Sequence, residues 1–245
     1  MTNLNQQDLN WCVRRLPKAL RDMMKRHENS IFVAGGFIRS CIARERVNDI
    51  DVFTSTKEVA EVLAKELNTN GKVINTDNAF TVTGLNVPIQ FIHRWTFNDP
   101  RSCVESFDFT VARAAFWSES ETHWESCCSE TFYQDLAAKR LVYCTPQRNE
   151  DAGGSILRVL KFYQREYRIP LDSLAAVIAR LLNGVEKDNI LFWNGCNQDG
   201  TAEDEDKVEK YRAKILCGLL IEVDPNADLS RSAHLPEQTE TTNEE

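Results

Sequence analysis

The sequence predicts an α/β head of about 145 residues followed by a small α-helical region. Two observations carry this reading. As far as Thr145, short β-type runs bounded by Gly, Asn and Asp alternate with amphipathic helical stretches. Beyond Thr145 the recurring pattern is helical.

Taken in order, Leu9, Val13, Leu16, Leu20, Met23 and Met24 recur at helical spacing. Residues 6–27 therefore read as an amphipathic helix that Pro17 kinks or breaks. "IFVA" (31–34) is strand-like and ends at Gly35-Gly36, and "FIRSCIAR" continues as a short helix. "DIDVF" (49–53) is a second strand. "STKEVAEVLAKELN" (55–68) has a cap-like start and apolar Val59, Val62, Leu63 and Leu67, which predicts a helix. Asp77 and Asn78 read as turn residues. Residues 79–95 read as a hairpin turning at 84–86. In 131–144 a short strand or helix precedes "RLVYC" as a strand. Helices are expected over 153–168, 171–187 and 203–223. The domain plan is a head over 1–145, a helical region over 146–223 and a disordered acidic tail over 224–245.

Composition narrows the class. The 245 residues are 42% hydrophobic and 27% charged, ordinary for a globular protein. No apolar run approaches the roughly 20 residues of a membrane span, and the polar N-terminus carries no secretory signal. The eight cysteines include no C-x-x-C pair, and Cys127 and Cys128 are adjacent. Reduced thiols in a cytoplasm-like compartment are expected. The net charge of −8 lacks the whole-chain basic footprint of a nucleic-acid binder. Acidic residues crowd into 199–209 and the tail, however, so an active surface can still be locally basic.

The stretch 31–54, "IFVAGGFIRSCIARERVNDIDVFT", carries the chemistry. Gly35 and Gly36 lie at a strand-to-helix turn, where bare N–H groups can face an anion. Arg39, one turn on, can add a charged fork. Asp49 and Asp51 sit two apart on a strand, so they share a face roughly 6.5–7 Å apart. Paired carboxylates repel unless a cation lies between them, and Mg²⁺ prefers such oxygen ligands. By itself D-x-D is also the pattern of a solvated strand end. Further on, Arg158, Lys161 and Arg165 form a basic stripe opposite apolar Ile156, Val159, Leu160, Tyr163 and Tyr167. That stripe reads either as a solvated cationic face or as a nucleotide-contacting one. Asp108 reads as an N-cap of a helix starting near Phe109 or Thr110, or as a site residue.

"GGFIRS…NDIDVF" resembles the "GG-x-[VIL]-R-D…D-[IL]-D" signature of the DNA polymerase β-like nucleotidyltransferases. The head domain of bacterial-type poly(A) polymerases and CCA-adding enzymes is the nearest likeness. "FDFTVARAAF" (107–116) is similar to their "RRDFTINALAY", and "ILRVLKFYQREYRI" (156–169) to their "RILRAVRFAARLGF". The resemblance covers about residues 30–170. It implies a mixed β-sheet with helices on one side and transfer of NMP from NTP to a hydroxyl, with pyrophosphate released. An RNA 3′ end is the implied acceptor. It implies Mg²⁺ or Mn²⁺ on Asp49 and Asp51, and nucleotide contacts from Gly35, Gly36, Arg39, Asp108, Arg158, Lys161 and Arg165. The short chain suits an accessory enzyme, in the host cytoplasm if a bacteriophage carries it.

The chain departs from the pattern at several points. Ser40 replaces the Asp after the arginine, Ser106 and Phe107 replace two arginines, and Ala112 replaces an Asn. Gln90 stands where many members carry a third acid; its amide can ligate a metal but brings no charge and cannot act as a base. The "EDxxR" element that reads the incoming base is not found. A nucleotide-binding protein without turnover, and transfer to a protein or small molecule, are the competing expectations.

Overall fold

The computed structural model describes residues 1–68, 71–144 and 154–183. Among them, 1–144 and 167–176 belong to one compact unit, and 154–166 and 177–183 to a second. Helices expected beyond 183, and the tail, lie outside the described residues. No described helix is long and apolar enough to cross a membrane.

The expected N-terminal helix is two helices, α1 (Gln6–Arg15) and α2 (Lys18–Arg26). The residue before a proline is pushed out of the helical region. Leu16 is accordingly extended, with ψ 140°, and Pro17 opens α2. Strand β1 (Ile31–Ala34) leads through Gly35 into α3 (Gly36–Ile42). Strand β2 (Ile50–Thr54) is followed by α4 (Lys57–Leu67), whose cap is Thr56, accepting from the Val59 N–H. Then come β3 (Val73–Asn75) and the expected hairpin, β4 (Ala79–Val82) with β5 (Ile89–Ile92). Helix α5 (Pro100–Ser106) and a hairpin of β6 (Ala114–Ser118) and β7 (Trp124–Cys128) follow, with α6 (Phe132–Ala137) after them. Helices α7 (Gly154–Gln164) and α8 (Leu171–Asn183) complete the described chain.

The seven strands form one sheet in the order β3-β4-β5-β2-β1-β6-β7. Only β2 with β5 is parallel, so the sheet is mixed, as expected. One face carries Ile50, Val52, Ile89, Phe91, Phe80 and Val82, all buried, and α4 packs on those strands. Phe37 of α3 meets Phe116 on this same face. Among the described residues, α5 packs on the β1–β6–β7 half of the opposite face. There Phe53 stacks on Phe32 at 5.6 Å and meets Phe97 and Phe107 edge-on at 6.0 Å. Burying each such ring contributes about 1.5–3 kcal/mol.

Two local expectations are corrected. The "RLVYC" segment is not a strand; it makes isolated bridges only, Arg140 with Arg168 and Tyr143 with Phe109. The reason is local: buried Asp135 takes the Arg140 guanidinium at 2.6 and 2.7 Å, and Lys139 has φ +48°. After Phe109 there is one 3₁₀ turn (Thr110–Ala112), and "AAFWS" is then drawn into the sheet beside β1.

Gly35 has φ +81° and ψ −130°, a conformation side chains avoid, and a Cβ there would lie 3.4 Å from the Phe107 ring. Gly35→Ala is expected to cost about 1–3 kcal/mol and to lower the melting temperature, read by thermal denaturation.

Candidate functional site

The other half of this sheet face holds the carboxylates. Parallel pairing sets Asp51 beside Gln90, and antiparallel pairing sets Gln90 beside Thr81. Thr81, Gln90 and Asp51 thus form a half-buried row across β4, β5 and β2. Asp49 lies one residue before β2 and is also half-buried. Phe53 is on the same face as Asp51, so the aromatic cluster begins one side chain along the strand.

That neighbourhood sets the electrostatics. Burial first, and then the negative charge of Asp49, push the Asp51 carboxyl up to about 7 against the opposing charge of Arg39. A buried carboxylate whose charge is opposed by a second one, with an amide oxygen alongside, is a donor set suited to a hard divalent cation. Asp49 and Asp51 fit such an ion on this ground.

At the strand-to-helix turn, the Gly35 N–H is bonded to the Ala114 carbonyl at 2.9 Å. Sheet pairing therefore occupies one of the two glycine N–H groups that the sequence offered to an anion. Arg39 is 7% exposed, and its guanidinium folds back over Gly36, where a Cβ would lie 3.5 Å from it. Its Nε lies 3.6 Å from Glu45 Oε2, and an Nη donates to Ser40 Oγ at 3.3 Å. The Tyr167 hydroxyl donates to Glu45 Oε1 at 3.0 Å. Arg39 is thus held by an acid while standing close enough to Asp51 to lower its pKa. Glu45 and Tyr167 escaped the sequence reading. Nothing local marks them, since their role comes from a contact 122 residues apart.

Asp108 is 2% exposed and is not the expected cap: the 3₁₀ turn is capped by Phe109, without a side-chain bond. Its backbone carbonyl accepts from the Cys144 N–H at 2.8 Å. Its neighbour Phe107 packs on Gly35 and Phe53. Arg158 and Lys161 lie on α7, in the second unit, and Arg165 follows in the turn closed by its N–H to the Phe162 carbonyl. Tyr163, expected on the apolar stripe, is 62% exposed, while Phe162 is buried.

With this geometry in hand, comparison with known proteins is informative. Residues 5–139 match the Gabija anti-defense 2 family, more than half of the chain. The chain belongs to this family. A member from Bacillus phage SPbetaL7, "Gabija anti-defense 2", is 28% identical over 200 residues, which are 78% of this chain and 48% of that protein. The chain spans about half the length of that relative. Among solved structures, a CCA-adding enzyme with CTP superposes at TM-score 0.51 and 18% identity over 89% of this chain and 56% of its own. The same enzyme class with ATP gives TM-score 0.51 and 17% identity over the same shares. At such identities the likeness is one of fold. The described residues share the fold of these CCA-adding enzymes, in agreement with the fold that the signature implied.

Asp51 also makes the metal-free protein pH-sensitive. Its folded pKa is raised, so between about 4 and about 7 the folded state keeps a proton that the unfolded state has released. Stability therefore falls as pH rises through that window. At about 1.4 kcal/mol per pH unit, with allowance for remaining solvent, the ionised form costs on the order of 2–4 kcal/mol. Asp51→Asn is expected to raise the metal-free melting temperature at pH 8 and leave it unchanged at pH 4. An equal effect at both pH values would contradict the assignment.

Proposed function

We propose that the chain is a divalent-metal-dependent nucleotidyltransferase that moves NMP from NTP to a hydroxyl, with an RNA 3′ end as acceptor. The observation that carries this reading is the pair Asp49 and Asp51 on one sheet face, with Asp51 raised to about 7 by burial and by its partner. Asp49 and Asp51 would hold Mg²⁺ or Mn²⁺, with the Gln90 oxygen available beside Asp51. Such an ion supplies positive charge for the triphosphate and for the charge that develops during in-line displacement. The first turn of α3 and Arg39 hold the phosphate tail. Phe53, Phe97 and Phe107 keep the neighbouring face dry, which strengthens each electrostatic contact. The acceptor oxygen bonds to the α-phosphorus as the bond to the β-phosphate oxygen breaks, and pyrophosphate leaves. The acceptor's proton passes to a carboxylate oxygen of Asp49 or Asp51 or to water, because the Gln90 amide cannot take it.

The RNA acceptor rests on analogy of fold. The assignment of Asp108, Arg158, Lys161 and Arg165 to the nucleotide rests on the resemblance alone. The phage relative's name supports a purpose: the transfer would counter a host defence, in the host cytoplasm. A second reading, nucleotide binding without turnover, draws on Gln90 in the row where a third acid would stand.

Incubation with each labelled NTP, Mg²⁺ and total RNA separates the two. Labelled RNA supports transfer; NTP binding without transfer or pyrophosphate release supports the second reading. Asp49→Asn and Asp51→Asn are each expected to lower turnover more than tenfold, about 1.4 kcal/mol of barrier. Retention of a tenth or more by both would remove the metal assignment.

Arg39→Lys probes the phosphate role, because lysine lacks the planar fork. The expected result is a several-fold higher KM for NTP. Loss of melting temperature at unchanged KM would make Arg39 a purely structural partner of Glu45.

A further inference from the structure

The helices that precede β1 carry charge of the wrong sign for an acidic chain. Between Trp11 and His27 lie six cations and one acid, in a protein of net charge −8. On α2, Lys18, Arg21 and Lys25 fall at i, i+3 and i+7, opposite buried Leu20, Met23 and Met24. Arg14 and Arg15 occupy the last turn of α1, and both are exposed. Acids stand at its margins: Asp8 beside Trp11 and Arg15, and Glu28 and Glu121 beside Lys25 and Arg26. Arg26 pairs with Glu66, and Lys18 stands 3.9 Å from Asp22 on an exposed turn. Among the described residues, Arg14, Arg21 and Lys25 form no ion pair. An indole completes the patch: Trp11 is 46% exposed, with the Arg15 guanidinium 5.6 Å over its ring.

The patch borders α3. Helix α1 packs on α3, which begins at Gly36. A cavity of about 420 Å³ has Arg15 and Pro17 on one wall and Phe37 and Ile50 on another. Ile50 here belongs to the helix-covered face of the sheet, opposite Asp51.

We infer that the α1–α2 face docks a single-stranded nucleic acid. Cations spaced along two helices suit successive phosphates, and an exposed indole beside an arginine suits a stacked base. An acidic protein surface would use the charges but not the ring. The inference deepens the transfer reading, on which it rests only for the reason a nucleic acid should bind this chain.

Binding is measured without NTP or metal, so it is judged apart from turnover. The probe is a fluorescent single-stranded oligoribonucleotide, titrated at several salt concentrations against the full chain. The variant is the triple Arg14→Gln, Lys18→Gln, Arg21→Gln, which keeps good helix formers. For single strands the slope of log affinity on log salt is about −0.7 per neutralised phosphate. Losing three contacts is therefore expected to make that slope shallower by about 2 and to weaken binding at least tenfold at 0.1 M salt. Melting temperature and NTP affinity should not change. The control Lys57→Gln with Lys72→Gln removes exposed cations elsewhere and should bind as wild type. The inference is overturned if wild type shows no salt-dependent binding, or if the triple variant matches wild type. It is also overturned if poly-glutamate displaces the probe as well as unlabelled oligonucleotide does. Failure of transfer with this binding pattern intact would count against the nucleotidyltransferase reading alone.

Discussion

Two like charges on a partly dried sheet face are the constraint around which this head is organised. Asp49 and Asp51 face the same side because strand geometry leaves no choice. Phe53, two residues on, gathers Phe32, Phe97 and Phe107 on that side. The aromatic cluster stabilises the fold and also removes water next to Asp51, so its charge is costly. The same packing that holds β2 in place makes an unneutralised carboxylate pair unfavourable, which is the physical ground of the proposed cation site.

Arg39 is the counterweight, and it is tied down from a distance. Glu45 follows α3 by three residues, while Tyr167 reaches Glu45 from the segment that returns to the first unit after α7. Buried at 7% exposure, an arginine needs such partners, because an unpaired buried charge is costly. Glu45 therefore serves to keep the guanidinium beside Asp51.

The departures from the nucleotidyltransferase pattern acquire physical meaning in the same way. Ser40, in place of an Asp, still accepts a hydrogen bond from Arg39. Phe107, in place of an arginine, closes over Gly35 and joins the aromatic cluster. Arg113 meanwhile donates to the carbonyls of Phe107 at 2.9 Å and Glu105 at 2.8 Å, fastening the end of α5. Positive charge near the pair has been exchanged for apolar cover. Gln90 keeps the shape of an acidic ligand without its charge, which lessens the repulsion that a third carboxylate would add.

How much of this was legible in the residues follows from the range of each interaction. The β1–α3 turn, the D-x-D strand, the break at Pro17 and the 79–95 hairpin depend on neighbours in sequence. Steric rules for Gly and Pro and the period of apolar residues therefore determined them. The signature within 35–51 likewise carried the fold family. The β6–β7 hairpin, the loss of a strand at "RLVYC" and the partners of Arg39 were decided only in the tertiary structure. "AAFWS" is as apolar as a helix core and becomes a strand because β1 offers it an open edge. Asp108 looked like a cap and is not one, because the chain turns for a single 3₁₀ step before that edge claims it. Chemistry written in adjacent residues was readable from the sequence. Chemistry assembled across 122 residues, as with Tyr167 and Glu45, was not, because loop closure and packing choose the partner and no local pattern records the choice.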